Sequence, residues 1–397
     1  MDVPEIELTD PTVLADPFTA YRQARERSPL ARLVTPGFGP MWAVTRHATA
    51  RTVLTDPRFE LRSESYLRPA VPDRYRPYLR TMEIDGPEHG RLRRLVAPAF
   101  TARRAVALRP RIETIVAGLL DEVAHAADDG VGDLVTHLAR PLPMAVISEL
   151  VGVPAADREV WRTFGAAVAA GDGPGFVAAI PAIVDSAKSV VAHRRDHPGD
   201  DLVTDLIRVR DDDGDRLTEV ELVSLVWHLV LAGQTPANLL ANAVHALLTH
   251  PGQLAALRAD PDLLPRAVEE LTRWSPPQML TVPRFPTEEV LIDGVPVPEG
   301  EPVVVSIVAV NRDPRVFPDP DRLDLTRVPD RTAHLGYGHG PHFCLGAALA
   351  RIQIEVALAA LLDRHPDLSP ADPGARRAPD PGTWRLLTLP VRLTRPR

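Results

Sequence analysis

The chain has 397 residues, 45% of them hydrophobic and 25% charged, a composition that excludes wholesale disorder and an all-coiled-coil architecture. Its formal net charge of -8 argues against a nucleic-acid protein, because phosphate binding needs clustered positive charge. Lys188 is the one lysine among 45 basic residues, a bias read as genome composition, and the single cysteine, Cys344, excludes an internal disulfide and fits a reducing cytoplasm.

The opening segment "MDVPEIELTDPTVLADP" has neither a basic n-region nor an apolar h-region, so no secretory signal is expected. "MWAVTRHATARTVLTDPRF" reads as a strand at 41–44 followed by a helix at 48–54. From about residue 87 to 271 the pattern is mainly helical, with apolar residues three and four apart in "IETIVAGLLDEVAHAA" and "ELVSLVWHLV". Within it, 196–215 ("DHPGDDLVTDLIRVRDDDGD") is polar enough to read as an exposed connection. The most apolar run, "LVSLVWHLVLAG", is broken by His228 and soon by Gln234 and Pro236, short of the roughly 20 residues of a membrane span. After Pro276, "EVLIDGVPVPEGEPVVVSIVAV" reads as short β pieces punctuated by Gly294 and Gly300. A glycine- and histidine-rich loop, a helix over "LGAALARIQIEVALAALLDRH" and a β-like "WRLLTLPVRL" complete the chain. With no repeat, low-complexity tract or linker, the expectation is one domain, 1–397, mainly α with a smaller β-rich portion.

The loop "GYGHGPHFCLGAALAR" contains Cys344 just before the last long helix. A thiol there feels the positive end of the helix dipole and unpaired N–H groups, which favour thiolate. Gly336, Gly338 and Gly340 let the backbone turn tightly and approach something large and flat. On these residues alone an inert buried cysteine and a reactive one both stand.

The stretch resembles the haem-binding loop of the cytochrome P450 superfamily, in its soluble bacterial branch. That pattern places an aromatic seven residues before the cysteine, glycines six and four before it, a basic residue two before it and a glycine two after, matched by Tyr337, Gly338, Gly340, His342 and Gly346. Tyr337 departs from the usual phenylalanine, though a phenol still packs on the proximal side. The resemblance implies the P450 fold, a triangular prism with haem b (iron protoporphyrin IX) between a long distal helix and the proximal cysteine helix. Cys344 would be the axial thiolate, the chain's metal ligand, pushing electron density toward iron to favour O–O cleavage.

Haem carries two propionates, and each buried carboxylate needs partners. His89 and Arg93 in "DGPEHGRLRRLVAPAF" lie four apart on one helical face, and the resemblance assigns them, Arg284 and His342 to this task. It also implies a structural triad of Glu270 and Arg273, three apart on a helix, with Arg322 in the Pro- and Asp-rich meander. The likeness runs from the strand near Trp42 to the terminal "LPVRL" and is weakest at 60–80 and 163–183, the family's substrate-facing loops.

Relatives carry Ala-Gly-x-acid-Thr on the distal helix, expected here from about Thr218 to His250, the acid and hydroxyl delivering protons to dioxygen. This chain is one residue shorter there and has no carboxylate: Ala232, Gly233, Gln234, Thr235, Pro236. A neutral amide positions water but does not give up a proton as a carboxylic acid does. Pro236 removes the N–H that would bond the Ala232 carbonyl and disfavours regular helix at Thr235, so a kinked, widened turn is expected, its Ala232 carbonyl and Thr235 hydroxyl open to water or substrate. His228, seven residues earlier, is a candidate pocket residue with Leu280, Val282 and Trp384.

The resemblance thus implies a cytoplasmic, monomeric monooxygenase of secondary metabolism. It would hydroxylate or epoxidise a small hydrophobic natural product such as a polyketide, terpenoid or modified peptide. Electrons would come from a separate ferredoxin or flavodoxin-type donor with its reductase, because no dinucleotide fingerprint is fused to the chain. Arg91, Arg94, Arg103 and Arg104 form a candidate docking face for that donor. The missing acid keeps a second reading open, oxidative coupling without oxygen insertion, and a third lies outside catalysis, a haem-bearing recruitment or sensor domain.

Overall fold

The computed structural model describes residues 2–35, 38–62, 65, 71–82, 84–170, 173–212, 217–328, 334–371 and 375–393. Of the two stretches least legible by resemblance, residues 63–64, 66–70 and 171–172 therefore lie outside the described residues. Helices dominate, and the strands form small sheets at the margins of a helical core.

The largest sheet has four strands, Glu5–Glu7, Leu30–Thr35, Phe38–Val44 and Val303–Val305, in that spatial order. The middle pair is antiparallel (Leu30 opposite Val44), and Phe38–Val44 runs parallel to Val303–Val305 (Trp42 opposite Val303). The expected strand at 41–44 extends back to Phe38, and its following helix spans His47–Thr55. "IDGV" closes a hairpin between Val290–Ile292 and Val295–Val297, with Asp293 (φ 47°) and Gly294 (φ 83°) both at the positive φ that a tight two-residue turn requires. The β reading of 303–310 holds only for Val303–Val305. Ser306 Oγ accepts the Ala309 N–H and starts the short helix Ile307–Val310.

The connection expected at 196–215 contains the helix Leu202–Asp212. Its Leu202, Val203 and Leu206 are buried, an apolar stripe hidden in the sequence by the aspartates around it. Tyr75 in the 3-10 segment Asp73–Met82 donates to Asp185 (2.7 Å), and the Lys188 ammonium lies over Tyr75 and Tyr78 at 5.5 and 4.7 Å. Both acidic and basic partners stand on the long helix Gly173–Asp196, which packs on Asp73–Met82.

The cysteine helix, Ala347–Arg364, packs on Arg109–Ala126, Pro236–Thr249 and Leu264–Trp274, burying Leu349, Ile354, Leu358 and Leu361. Leu264–Trp274 carries the ion pair that fixes the meander before the cysteine loop. Arg273 and Glu270 pair through two bonds of 2.7 Å, with both side chains 2% exposed. Arg273 also donates to the carbonyls of Asn311, Pro320 and Arg322, and Glu270 accepts the Asp324 N–H. The third charged member is Arg327, whose Nε reaches Glu270 at 3.2 Å, and not Arg322, which contributes its carbonyl while its side chain is exposed. The meander turns so that the later arginine folds back over the carboxylate. Removing one partner of such a buried pair leaves an uncompensated charge, a cost of about 3–5 kcal/mol. Glu270→Ala should therefore lose stability of that order in chemical denaturation, whereas exposed Arg322→Ala should change it by less than about 0.5 kcal/mol.

Candidate active site

The cysteine loop is shaped by its own backbone. The Cys344 N–H donates to the Tyr337 carbonyl (2.8 Å), Gly338 N–H to Leu335 (2.9 Å) and Phe343 N–H to Gly340 (3.0 Å). Gly340 sits at φ 72°, and a Cβ there would lie 2.9 Å from the Leu54 carbonyl oxygen, so no other residue lets the loop rest on the His47–Thr55 helix. Tyr337 packs on Ala347 and Ala350 with the Arg351 guanidinium 4.5 Å from its ring centroid, and burial pushes its hydroxyl up to about 12. Arg351 in turn pairs with Glu269, which also meets His334 at 3.2 Å.

Cys344 remains exposed, although protein surrounds it on most sides. It lies before the first helical residue, Ala347, with Gly346 as the cap. Burial pushes the thiol up, and the Gly346 N–H, Arg93 and Arg351 work in the opposite direction. A bound metal ion would favour the thiolate.

Beside the loop, the helix Gly86–Val96 starts at Asp85, whose carboxylate accepts the Gly86 and Leu61 N–H groups and meets His342 Nε2 at 2.8 Å. Burial opposes its ionisation, but these bonds win and hold it well below the usual carboxylate range. The His342 ring stacks on His89 with centroids 4.0 Å apart. His89 is pushed down to about 4, first by burial and then by His342, with Arg93 and Arg284 adding to the effect against Asp85. Arg93 donates to the Phe343 carbonyl (2.6 Å), and buried Arg284 reaches the Leu54 carbonyl (3.5 Å). The structure thus brings His89, Arg93, Arg284 and His342 together next to Cys344.

Asp85 is a member of this site that the sequence reading missed; its signal was the helix start "DGPEH", acid then proline. Asp85, His89 and His342 have ligand atoms within 4.8 Å of one another, the spacing of a metal site. Two guanidiniums and two imidazoles able to donate N–H groups, against one carboxylate, suit an anion better than a cation, because Asp85 is already committed to His342 and two N–H groups. A thiol, a basic cluster for carboxylates and an open face at Gly346, where an added Cβ meets nothing within 4 Å, together fit haem.

The expected long distal helix is two, Glu219–Ala232 and Pro236–Thr249, separated at 233–235. The break tightens instead of widening: Gln234 N–H bonds Leu231, Ala237 N–H bonds Gln234 and Asn238 N–H bonds Thr235, each three residues back. The Ala232 carbonyl, deprived of a donor by Pro236, accepts the Thr235 hydroxyl at 3.4 Å, so the two groups expected to be open to water or substrate are paired with each other. Ala232 is exposed, Gly233 and Thr235 are partly so, and Gln234 is buried.

His228 is half-buried, stacked beside Trp227 (5.9 Å), and burial pushes it down to about 4, hence neutral. Val282 is exposed and Leu280 partly so. Trp384 packs in the same apolar cluster as Leu280. It is a core residue, edge-on to Phe18 at 5.2 Å under the Arg377 guanidinium, its carbonyl taken by Asn242. If Gly340 sets the loop as described, Gly340→Ala should displace the Leu54 carbonyl, cost about 1–3 kcal/mol and reduce the haem retained per chain, measured by haem extraction against protein concentration.

The family model for cytochrome P450 matches residues 179–390. The chain is 43% identical over 387 residues to the cytochrome P450 monooxygenase PikC of Streptomyces venezuelae, covering 96% of this chain and 92% of that protein. Among solved structures it resembles the bacillaene polyketide synthase cytochrome P450 PksS of Bacillus subtilis 168, with a TM-score of 0.88 and 32% identity, covering 98% of this chain and all of that one. It also resembles CxnD, a cytochrome P450 enzyme for C–S bond formation in chuangxinmycin biosynthesis, with a TM-score of 0.85 and 33% identity over 99% of this chain and 98% of that one. No helix among the described residues is long and apolar enough to cross a membrane. Likeness sustained over nearly the whole length, at these identities, makes the chain a member of the cytochrome P450 family, monooxygenases that hold haem through a cysteine thiolate.

Proposed function

We propose that residues 1–397 act as a single catalytic unit that hydroxylates or epoxidises an uncharged, hydrophobic natural product in the cytoplasm, a reading supported by the likeness to PikC, named a monooxygenase, and to PksS, named a polyketide synthase cytochrome P450. The observation that carries the reading is the gathering of His89, Arg93, Arg284 and His342 beside Cys344, and the residues proposed for the substrate side, Ala232, Thr235, His228, Leu280 and Val282, include no acidic, lysine or arginine side chain. When bound, haem supplies reductive activation of dioxygen. The chain's part is to hold Cys344 as its ligand, to meet its carboxylates with His89, Arg93, Arg284 and His342, and to position a substrate against Ala232 and Thr235. Asp85 orients His342 for that role.

Electrons would come from a ferredoxin or flavodoxin-type donor. Arg91 and Arg104 are paired with Glu221 and Asp205, which leaves exposed Arg94 and Arg103 to carry the docking charge. Arg94→Glu with Arg103→Glu should lower ferredoxin-driven turnover, with the loss shrinking as salt rises; unchanged turnover would remove this face from the proposal.

A second reading has its own support. Position 234 offers an amide in place of the acid, and CxnD forms a C–S bond by its printed description. Isotopically labelled dioxygen separates the two, once compounds that shift the haem from low to high spin have been found. Label in the product supports insertion, and an unlabelled coupled product supports the alternative.

A further inference from the structure

Gln234 occupies the position where relatives place an acid, yet its side chain does not face the exposed side of the break. Its Nε2 donates to the Val230 carbonyl (3.3 Å) and approaches the Met144 sulfur (3.7 Å). The Val230 carbonyl is the one that the Gln234 backbone N–H would take in a regular helix, but that N–H bonds Leu231 instead. The amide thus replaces a backbone bond lost at the break. Its other end is confined by the neighbouring helix Arg158–Ala170, because a Cβ on Gly165 would lie 2.5 Å from Met144 Cε and 3.0 Å from Gln234 Oε1. The break itself is seated on the helix Pro141–Val151, where a Cβ on Gly233 would lie 2.9 Å from Ile147 Cγ1.

We infer that Gln234 is a positioning residue: its amide, plugged into a socket of Met144 and Gly165, caps the upstream helix at Val230 and thereby holds the tightened turn in which the Thr235 hydroxyl pairs with the Ala232 carbonyl. The side chain that replaces the acid fixes the distal polar pair and does not carry protons itself. Val230 needs a donor, and an ionised carboxylate has none to give. Leaving that buried carbonyl bare would cost the desolvation of a lost hydrogen bond, enough to favour another turn geometry. The inference rests on the haem-thiolate reading, because the turn matters to catalysis only if it overlies the haem.

The test uses the intact haem protein with carbon monoxide as the probe. Gln234→Leu keeps the bulk and removes the donor; it should retain the thiolate-type ferrous–CO absorption band while shifting or splitting the infrared stretch of bound CO. In a Thr235→Val background the same substitution should produce no further shift, since the hydroxyl is what the amide positions. Gly165→Ala, which crowds the Gln234 amide from the neighbouring helix and leaves Ala232 and Thr235 unchanged, should move the stretch as well and serves if Gln234→Leu does not fold. A Gln234→Leu protein whose CO stretch matches the parent's, or whose shift is undiminished without the Thr235 hydroxyl, would overturn the inference. Absence of the thiolate-type band in the parent would instead overturn the haem-thiolate reading.

Discussion

A guanidinium has five N–H groups, never loses its charge, and is costly to bury unless every donor is met. Arg273 is buried, and its donors go to both oxygens of Glu270 and to three carbonyls of the chain that follows, at 311, 320 and 322. That requirement reaches far beyond one ion pair. It forces the meander to curl around a single side chain, and the meander's exit is where the cysteine loop begins. Arg351 and Glu269 repeat the device on the next face, joining the cysteine helix to the helix that bears Arg273. The position of Cys344 is thus an indirect product of charge satisfaction on Leu264–Trp274, and the glycines of the loop only permit what the arginines demand.

The distal side is built on the opposite logic. Among the described residues it has no buried ion pair at the break; a proline removes one N–H, the hydrogen bonds there run three residues back, and two neutral side chains take up the stranded carbonyls. Thr235 serves Ala232, and Gln234 serves Val230. Here the shortened turn uses its polar groups to keep itself intact. The proline and the amide act on the same turn, one removing a donor and the other supplying one.

Much of the site was legible because it depends on local spacing. Cys344 with Gly338, Gly340 and Gly346, and His89 with Arg93, stand at fixed separations that the backbone translates directly into one loop and one helix face. What escaped depends on long-range closure. Arg322 and Arg327 are equivalent as text, and only the curl of the meander selects the second. Asp85 reads as a helix cap until His342, from far along the chain, arrives against it. The contact of Trp384 with Phe18, from the start of the chain, has no local signal either. The helix Leu202–Asp212 was hidden by its acidic neighbours, whose charge says nothing of the face that Leu202, Val203 and Leu206 turn inward.

The arginine bias of the chain has a practical corollary. Its only side-chain amine, Lys188, lies over Tyr75 and Tyr78, at the seam between the segment Asp73–Met82 and the long helix Gly173–Asp196. Amine-directed labelling therefore has one internal target, and it is a place where two aromatic rings would alter the magnetic and optical properties of whatever is attached. The genome's preference for arginine has left the protein with a built-in single-site reporter on the contact between these two elements.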